Sequence, residues 1–134
     1  MQAVRNASGT LDERLVETAL QMLTDHPAEH LSLRRVAEEL GVSHQAPYVH
    51  FGNKRTFLAA VAGAGLQEAA DQAVAALSVS GGDPVRRLHV LMAVYISFIR
   101  ERPHVHDLAY GPLVNKPDHP RLQRAANAYW NLLH

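Results

Sequence analysis

The chain has 134 residues, a length that suits one domain or a small domain joined to a larger one. Hydrophobic residues make up 47% of it, which is enough to form a buried core. Its 13 basic residues balance 13 acidic ones, so no net charge attracts the whole protein to nucleic acid. The absence of cysteine excludes disulfides and thiolate metal sites and fits a cytoplasmic protein. No apolar run approaches the ~20 residues of a membrane span and no signal peptide is evident, so we expect no membrane attachment.

The N-terminal quarter predicts a polar arm followed by one amphipathic helix. Residues 1–10 are small and polar and are expected to form a loose arm. From Leu11 to Asp25 an apolar stripe recurs at helical spacing, and Thr10 is a suitable cap three residues before Glu13. The residues of this stripe are Leu15, Val16, Ala19, Leu20 and Leu23. We expect Pro27 to follow the end of the helix.

Residues 32–55 predict two short helices separated by a tight turn. The first helix has apolar residues at helical spacing, namely Leu33, Val36, Ala37 and Leu40. Gly41 then suits the left-handed residue that ends a helix, and Ser43 can cap the next one. This is a helix-turn-helix, in which the second helix lies in the major groove of DNA.

An aromatic-rich segment closes this second helix and runs into another turn. It consists of Tyr48, Val49, His50 and Phe51, followed by Gly52, Asn53 and Lys54. The pattern resembles the end of the DNA-binding domain of the TetR family of bacterial transcriptional repressors, and the resemblance covers about residues 11–66. It implies an all-α fold, with a three-helix DNA-binding domain at 11–55 and a helical ligand-binding and dimerisation domain at 56–134.

The resemblance also implies a set of DNA-binding residues. Base contacts are expected from His44, Gln45 and Ala46, which can pair with guanine, adenine and the thymine methyl group, and Ser43 begins the same helix. Phosphate contacts are expected from residues with hydroxyl or basic groups, namely Ser32, Tyr48, His50 and Lys54. Pro47 departs from the family pattern: the first helical turn tolerates it, but it leaves the aim of Gln45 open.

Local charge supports a binding patch in this segment. No Asp or Glu occurs from Gly41 to Gln67, whereas Lys54, Arg55 and two histidines do. We therefore expect a basic patch with a modest salt dependence of DNA binding. For the arm, the alternative to disorder is that Arg5 reaches the minor groove.

The second half predicts four further helices. A long helix should run from Asn53 to about Leu77, in which Gly63 and Gly65 either permit close packing or are simply tolerated. After a cap at Asp83, a helix to about Arg102 should bury one apolar face, consisting of Val85, Leu88, Leu91, Met92, Tyr95, Phe98 and Ile99. A short helix should end at Tyr110, and a last helix should begin at Pro120.

The TetR resemblance implies an effector pocket in this half. Its candidate lining residues are apolar or aromatic, namely Met92, Tyr95, Phe98, Tyr110, Tyr129 and Trp130. The chain stops at His134 within an apolar helical pattern, whereas TetR proteins continue into helices that form the dimer interface. We therefore expect exposed apolar surface and weak dimerisation of this chain.

We predict a transcriptional regulator that represses, or alternatively activates, from a palindromic operator as a homodimer, with release by a small molecule. No nucleophile with an aligned base is evident, so neither an enzyme nor a cofactor is expected. One rival is a zinc site or zinc enzyme formed by His104, His106, Asp107 and His119. The other is a helical interaction module that does not bind DNA.

Overall fold

The computed structural model describes residues 9–114 and 116–132, so Arg5 and most of the predicted arm lie outside the described residues. Within them the chain forms seven α-helices, two 3-10 turns and no strand, which confirms the all-α prediction. The helices are α1 (Leu11–Met22), α2 (Leu33–Leu40), α3 (Ala46–Phe51), α4 (Lys54–Ser78), α5 (Pro84–Glu101), α6 (Pro103–Tyr110) and α7 (Pro120–Asn131). The 3-10 turns are Ala28–His30 and Lys116–Asp118. None of the described helices combines the length and apolarity that crossing a membrane requires.

Three helices begin at the caps that the sequence predicts. The Thr10 hydroxyl accepts a hydrogen bond from the Glu13 N–H at 3.2 Å, and the Glu13 carboxylate accepts one from the Thr10 N–H at 3.4 Å. Asn53 accepts the Thr56 N–H at 2.8 Å, and Asp83 caps α5 in the same way. Each cap satisfies a first-turn donor that has no partner within its helix.

Helix α4 is the central element of the fold. It packs against α1, α3, α5, α6 and α7. Most of its apolar side chains are buried, and Phe57 and Val61 are completely inaccessible, whereas Val74 is 52% exposed. Burial of each such side chain contributes about 1.5–3 kcal/mol. One apolar cluster runs continuously from α1 and α2 through α4 to α7, so the core crosses the predicted domain boundary at residues 55 and 56.

Helix α5 buries less of its apolar face than its periodicity predicts. Leu91 and Phe98 are buried as expected. The prediction is wrong for Val85, Leu88 and Met92, which are 61%, 46% and 53% exposed. The reason is that no described helix covers that side of α5, so helical period alone does not determine burial.

Helices α1 and α6 approach α4 closely at Gly65. The side chains of Leu20 from α1 and Val105 from α6 lie against this glycine, and a methyl group there would overlap Val105. At Gly63 a methyl group would lie 3.6 Å from the Leu122 Cα, which is ordinary contact. Gly65 therefore permits close packing of α6, whereas Gly63 is tolerated without such a need.

Candidate nucleic-acid interface

Helix α2 begins at a serine cap and ends at a glycine, which leads into the turn before α3. Ser32 caps α2, since its Oγ accepts the Arg35 N–H at 3.3 Å. Gly41 ends α2 with a φ of +81°, and its N–H donates to the Ala37 carbonyl at 2.9 Å. Side chains disfavour this left-handed conformation, so glycine allows the chain to reverse at this point. Val36 and Ala37 are fully buried and hold α2 on the core.

Helix α3 begins later than the sequence predicts. Regular helix starts at Ala46, and Gln45 occupies the cap position without a side-chain cap. The predicted capping role of Ser43 is therefore wrong for the helix itself. Ser43 instead organises the preceding turn: its Oγ accepts the Gln45 N–H at 3.2 Å and its carbonyl accepts the Ala46 N–H at 3.0 Å. Pro47 lies in the first turn, where an N–H has no helical partner, and its ring is buried.

The outer side of this unit carries most of the predicted DNA contacts. We call it the recognition surface; its exposed members are His44, Gln45, Tyr48, Val49, His50 and Lys54. The side chain of Ala46 is half-buried beside them, as is that of Ser32 at the start of α2. The predicted base-reading residues are therefore not packed into the core.

Val49 is a member of this surface that the sequence prediction missed. Its side chain is 77% exposed, although valine is apolar. A signal was present, because a residue two positions from the buried Pro47 must point to the opposite side of a helix. Valine methyl groups are suited to contact with the methyl group of thymine.

Aromatic packing holds the end of α3 in place. The rings of Phe51 and Phe57 meet edge to face with centroids 5.0 Å apart. Such a pair adds about 0.5–1.5 kcal/mol beyond the buried area. Helix α3 also contacts α1 and α2, so its orientation is fixed by three neighbouring helices.

Two carboxylates lie against the histidines of the recognition surface. His44 Nε2 is 3.4 Å from Glu38 Oε1 in α2, and His50 Nδ1 is in direct contact with Asp12 Oδ1 in α1. The stretch from Gly41 to Gln67 contains no acid, but the fold brings these two from outside it. These carboxylates occupy histidine nitrogens that the sequence analysis assigned to DNA, and they make the recognition surface less positive than its sequence window predicts.

The rival metal site is not assembled. Among the described residues, no three histidine, aspartate or glutamate side chains converge in a way that could hold an ion. His106 is engaged elsewhere, since its Nε2 lies 3.0 Å from the Tyr95 hydroxyl.

Most of the predicted effector-binding residues meet in one aromatic cluster joining α5, α6 and α7. Ring centroids of Tyr95 lie 6.3 Å from Phe98, 5.4 Å from Tyr129 and 5.2 Å from Trp130. Tyr110 joins through the intervening His106 ring, whereas Met92 is on the uncovered side of α5. Burial raises the pKa of Tyr129 to about 12, and its hydroxyl donates to the Leu91 carbonyl.

Comparison with known proteins identifies relatives of the N-terminal part. Residues 15–61 match the family described as bacterial regulatory proteins, tetR family. The chain is 50% identical over 50 residues to the tetracycline repressor protein class C of Escherichia coli, which is 37% of this chain and 23% of that protein. It is 43% identical over 54 residues to the tetracycline repressor protein class A from transposon 1721 of Escherichia coli, which is 40% of this chain and 25% of that protein. The chain thus spans about a quarter of the length of these relatives, and no solved structure matches it significantly.

Proposed function

We propose that the chain is a regulator of the tetR family, whose model matches residues 15–61, and that it represses transcription from a palindromic operator. It binds there as a dimer and leaves when a small molecule binds. The observation that carries the proposal is the recognition surface, in which Gln45 and Tyr48 are exposed while Pro47 and Phe51 anchor the same short helix.

Each exposed residue has a role that suits its chemistry. Gln45 pairs with an adenine in the major groove and Val49 contacts a neighbouring thymine methyl group. Tyr48 and Lys54 bind phosphates on either side, and Ser32 adds its hydroxyl hydrogen while its oxygen caps α2. These phosphate contacts set the register in which α3 meets the bases.

Release by an effector requires a connection between the two halves. Helix α4 supplies it, because α3 packs on its N-terminal part and the helices of the second half pack along the rest. A ligand that inserts among the rings of Tyr95, Phe98 and Trp130 would move α5 and α7 relative to α4. It would favour geometries in which α3 no longer fits the groove.

Selection of bound DNA from a random pool, followed by titration of variants, tests the proposal. We expect Gln45→Ala to lose about 1–3 kcal/mol at one base pair of the selected site, and Lys54→Ala to weaken binding to all sequences and lower the salt slope by about 1. Gln72→Ala, an exposed glutamine on α4, is the matched control and should change nothing. A pool with no enriched sequence, or a Gln45→Ala variant with unchanged preference, would instead support the helical interaction module.

A further inference from the structure

A cleft separates the beginning of α7 from the DNA-binding helices. It has a chamber of about 390 Å³ and an adjoining one of about 270 Å³, which share five of their lining residues. The shared residues are Asp12, Phe51, Ala59, Ala60 and Arg121. Small side chains form most of the apolar wall, and the volume of the larger chamber falls in the range of small-molecule sites, about 300–1,000 Å³.

The rim of the cleft carries positive charge without partners. Arg121 and Arg124 project from the first turns of α7, and among the described residues neither guanidinium group has a hydrogen bond or an ion pair. His119 lines the smaller chamber, and its Nε2 is buried with no hydrogen-bond partner. Helix α7 also begins without a side-chain cap, so its first N–H groups add to the positive field.

Three carboxylates lie in the cleft wall, and each interacts with another group. Asp12 is in contact with His50, Glu13 forms the capping box with Thr10, and Asp118 beside the smaller chamber is also engaged. Two arginines, a helix N-terminus and a buried imidazole nitrogen are therefore the donors available to a ligand next to the apolar wall. Guanidinium groups are well suited to carboxylates because they can donate two parallel hydrogen bonds.

We propose that this cleft binds a small aromatic carboxylate. Its ring system occupies the apolar wall formed by Ala59 and Ala60, and its carboxylate is held by Arg121 and Arg124. The ring cluster around Tyr95 is a different place: its rings pack directly on one another, and none of its members lines either chamber.

The position of the cleft gives a ligand direct access to the recognition helix. Phe51 lines both chambers and is also the residue that holds the end of α3 on Phe57. A ligand in contact with Phe51 therefore biases the orientation of α3. This regulatory consequence rests on the proposed function, whereas binding in the cleft does not.

The test uses the full chain, with 2-naphthoate as the probe and 2-naphthamide as its neutral counterpart, measured by calorimetry. We expect naphthoate to bind at least about tenfold more tightly than the amide, a difference that charged hydrogen bonds supply. The double variant Arg121→Gln with Arg124→Gln should remove this preference. Arg86→Gln with Arg100→Gln, two exposed arginines of α5, is the matched control and should retain it.

A second variant tests the cavity without a change of charge. Ala60→Phe fills the shared wall and should abolish binding of both probes, with circular dichroism confirming that the helices are intact. The proposal is overturned if the unmodified chain does not bind naphthoate, or if the arginine variants bind it as well as the unmodified chain does. It is also overturned if only Tyr95→Leu abolishes binding.

Binding of the ligand-free chain to selected DNA is scored separately. If the chain does not bind DNA but the cleft variants behave as expected, the repressor function is rejected and the ligand site is retained. Sequence-specific DNA binding, with naphthoate affinity insensitive to the cleft variants, rejects the site and keeps the repressor.

Discussion

Substitution of Gly65 by alanine should destabilise the protein, although alanine favours helix. The change adds one methyl group, and this methyl group would overlap the side chain of Val105. Val105 is only 1% exposed, and its branched side chain is confined to few rotamers, so it cannot move aside cheaply. Overpacking of this kind costs about 1–3 kcal/mol.

Gly63→Ala provides the matched control for this change. Both glycines lie inside α4, so both variants gain the same helix preference, about 0.8–1 kcal/mol. At Gly63 the methyl group meets the Leu122 backbone at 3.6 Å, which requires no movement. The free energy of unfolding should therefore be lower in Gly65→Ala than in Gly63→Ala by about 1–3 kcal/mol, which is the steric contribution alone.

Urea denaturation followed by circular dichroism measures this difference. The two variants should unfold with the same dependence on urea, so that the midpoints report stability directly. Addition of Val105→Ala should recover part of the stability lost in Gly65→Ala, because it removes the overlapping methyl groups. Equal stability of the two glycine variants would show that α6 does not pack against α1 and α4 at Gly65.

Two further outcomes follow from individual contacts. Asp12→Asn removes the carboxylate beside His50 and should tighten DNA binding by about twofold to fivefold at low salt, which is the range of an exposed charge pair. Fluorescence anisotropy titrations measure the affinity, and an unchanged affinity would place His50 away from DNA. Because the pKa of Tyr129 is raised from 10.0 to about 12, the folded state keeps this proton longer than the unfolded state, so the free energy of unfolding should fall as pH rises between these values. Tyr129→Phe should remove that contribution, and a phenolate absorbance titration with every tyrosine ionising near pH 10 would contradict it.

The helix limits were largely predictable because their signals are local. Thr10, Asn53 and Asp83 cap helices through residues three positions away, and Gly41 reverses the chain through its own backbone conformation. The start of α3 was not predictable in the same way. Ser43 has the chemistry of a helix cap, but its hydrogen bonds to Gln45 and Ala46 form a turn that precedes α3. A cap and a turn are both local arrangements, so the sequence alone does not decide between them.

The sequence named most residues of the recognition surface, but it missed Val49 and the two carboxylates beside the histidines. The residues that the sequence named stand close together along the chain, in and around α3, and most of their side chains are exposed. Asp12, by contrast, lies in α1, far from His50 in sequence, and only the packing of α1 against α3 brings the two into contact. A window of sequence without acids therefore overstated the positive charge that DNA would meet.

Residue spacing and capping chemistry determined by themselves that the chain is helical and where most of its helices begin and end, and the motif at residues 48–54 pointed to the short helix that we propose reads bases. Packing decided what lies between the helices: the uncovered face of α5, the overlap that only glycine avoids at Gly65, and the arginine-rimmed cleft next to Phe51. The physical reason is how far apart along the chain the interacting residues lie. Hydrogen bonds within a helical turn involve neighbours along the chain, whereas burial and electric field at a site are set by atoms from every element that the fold brings near it.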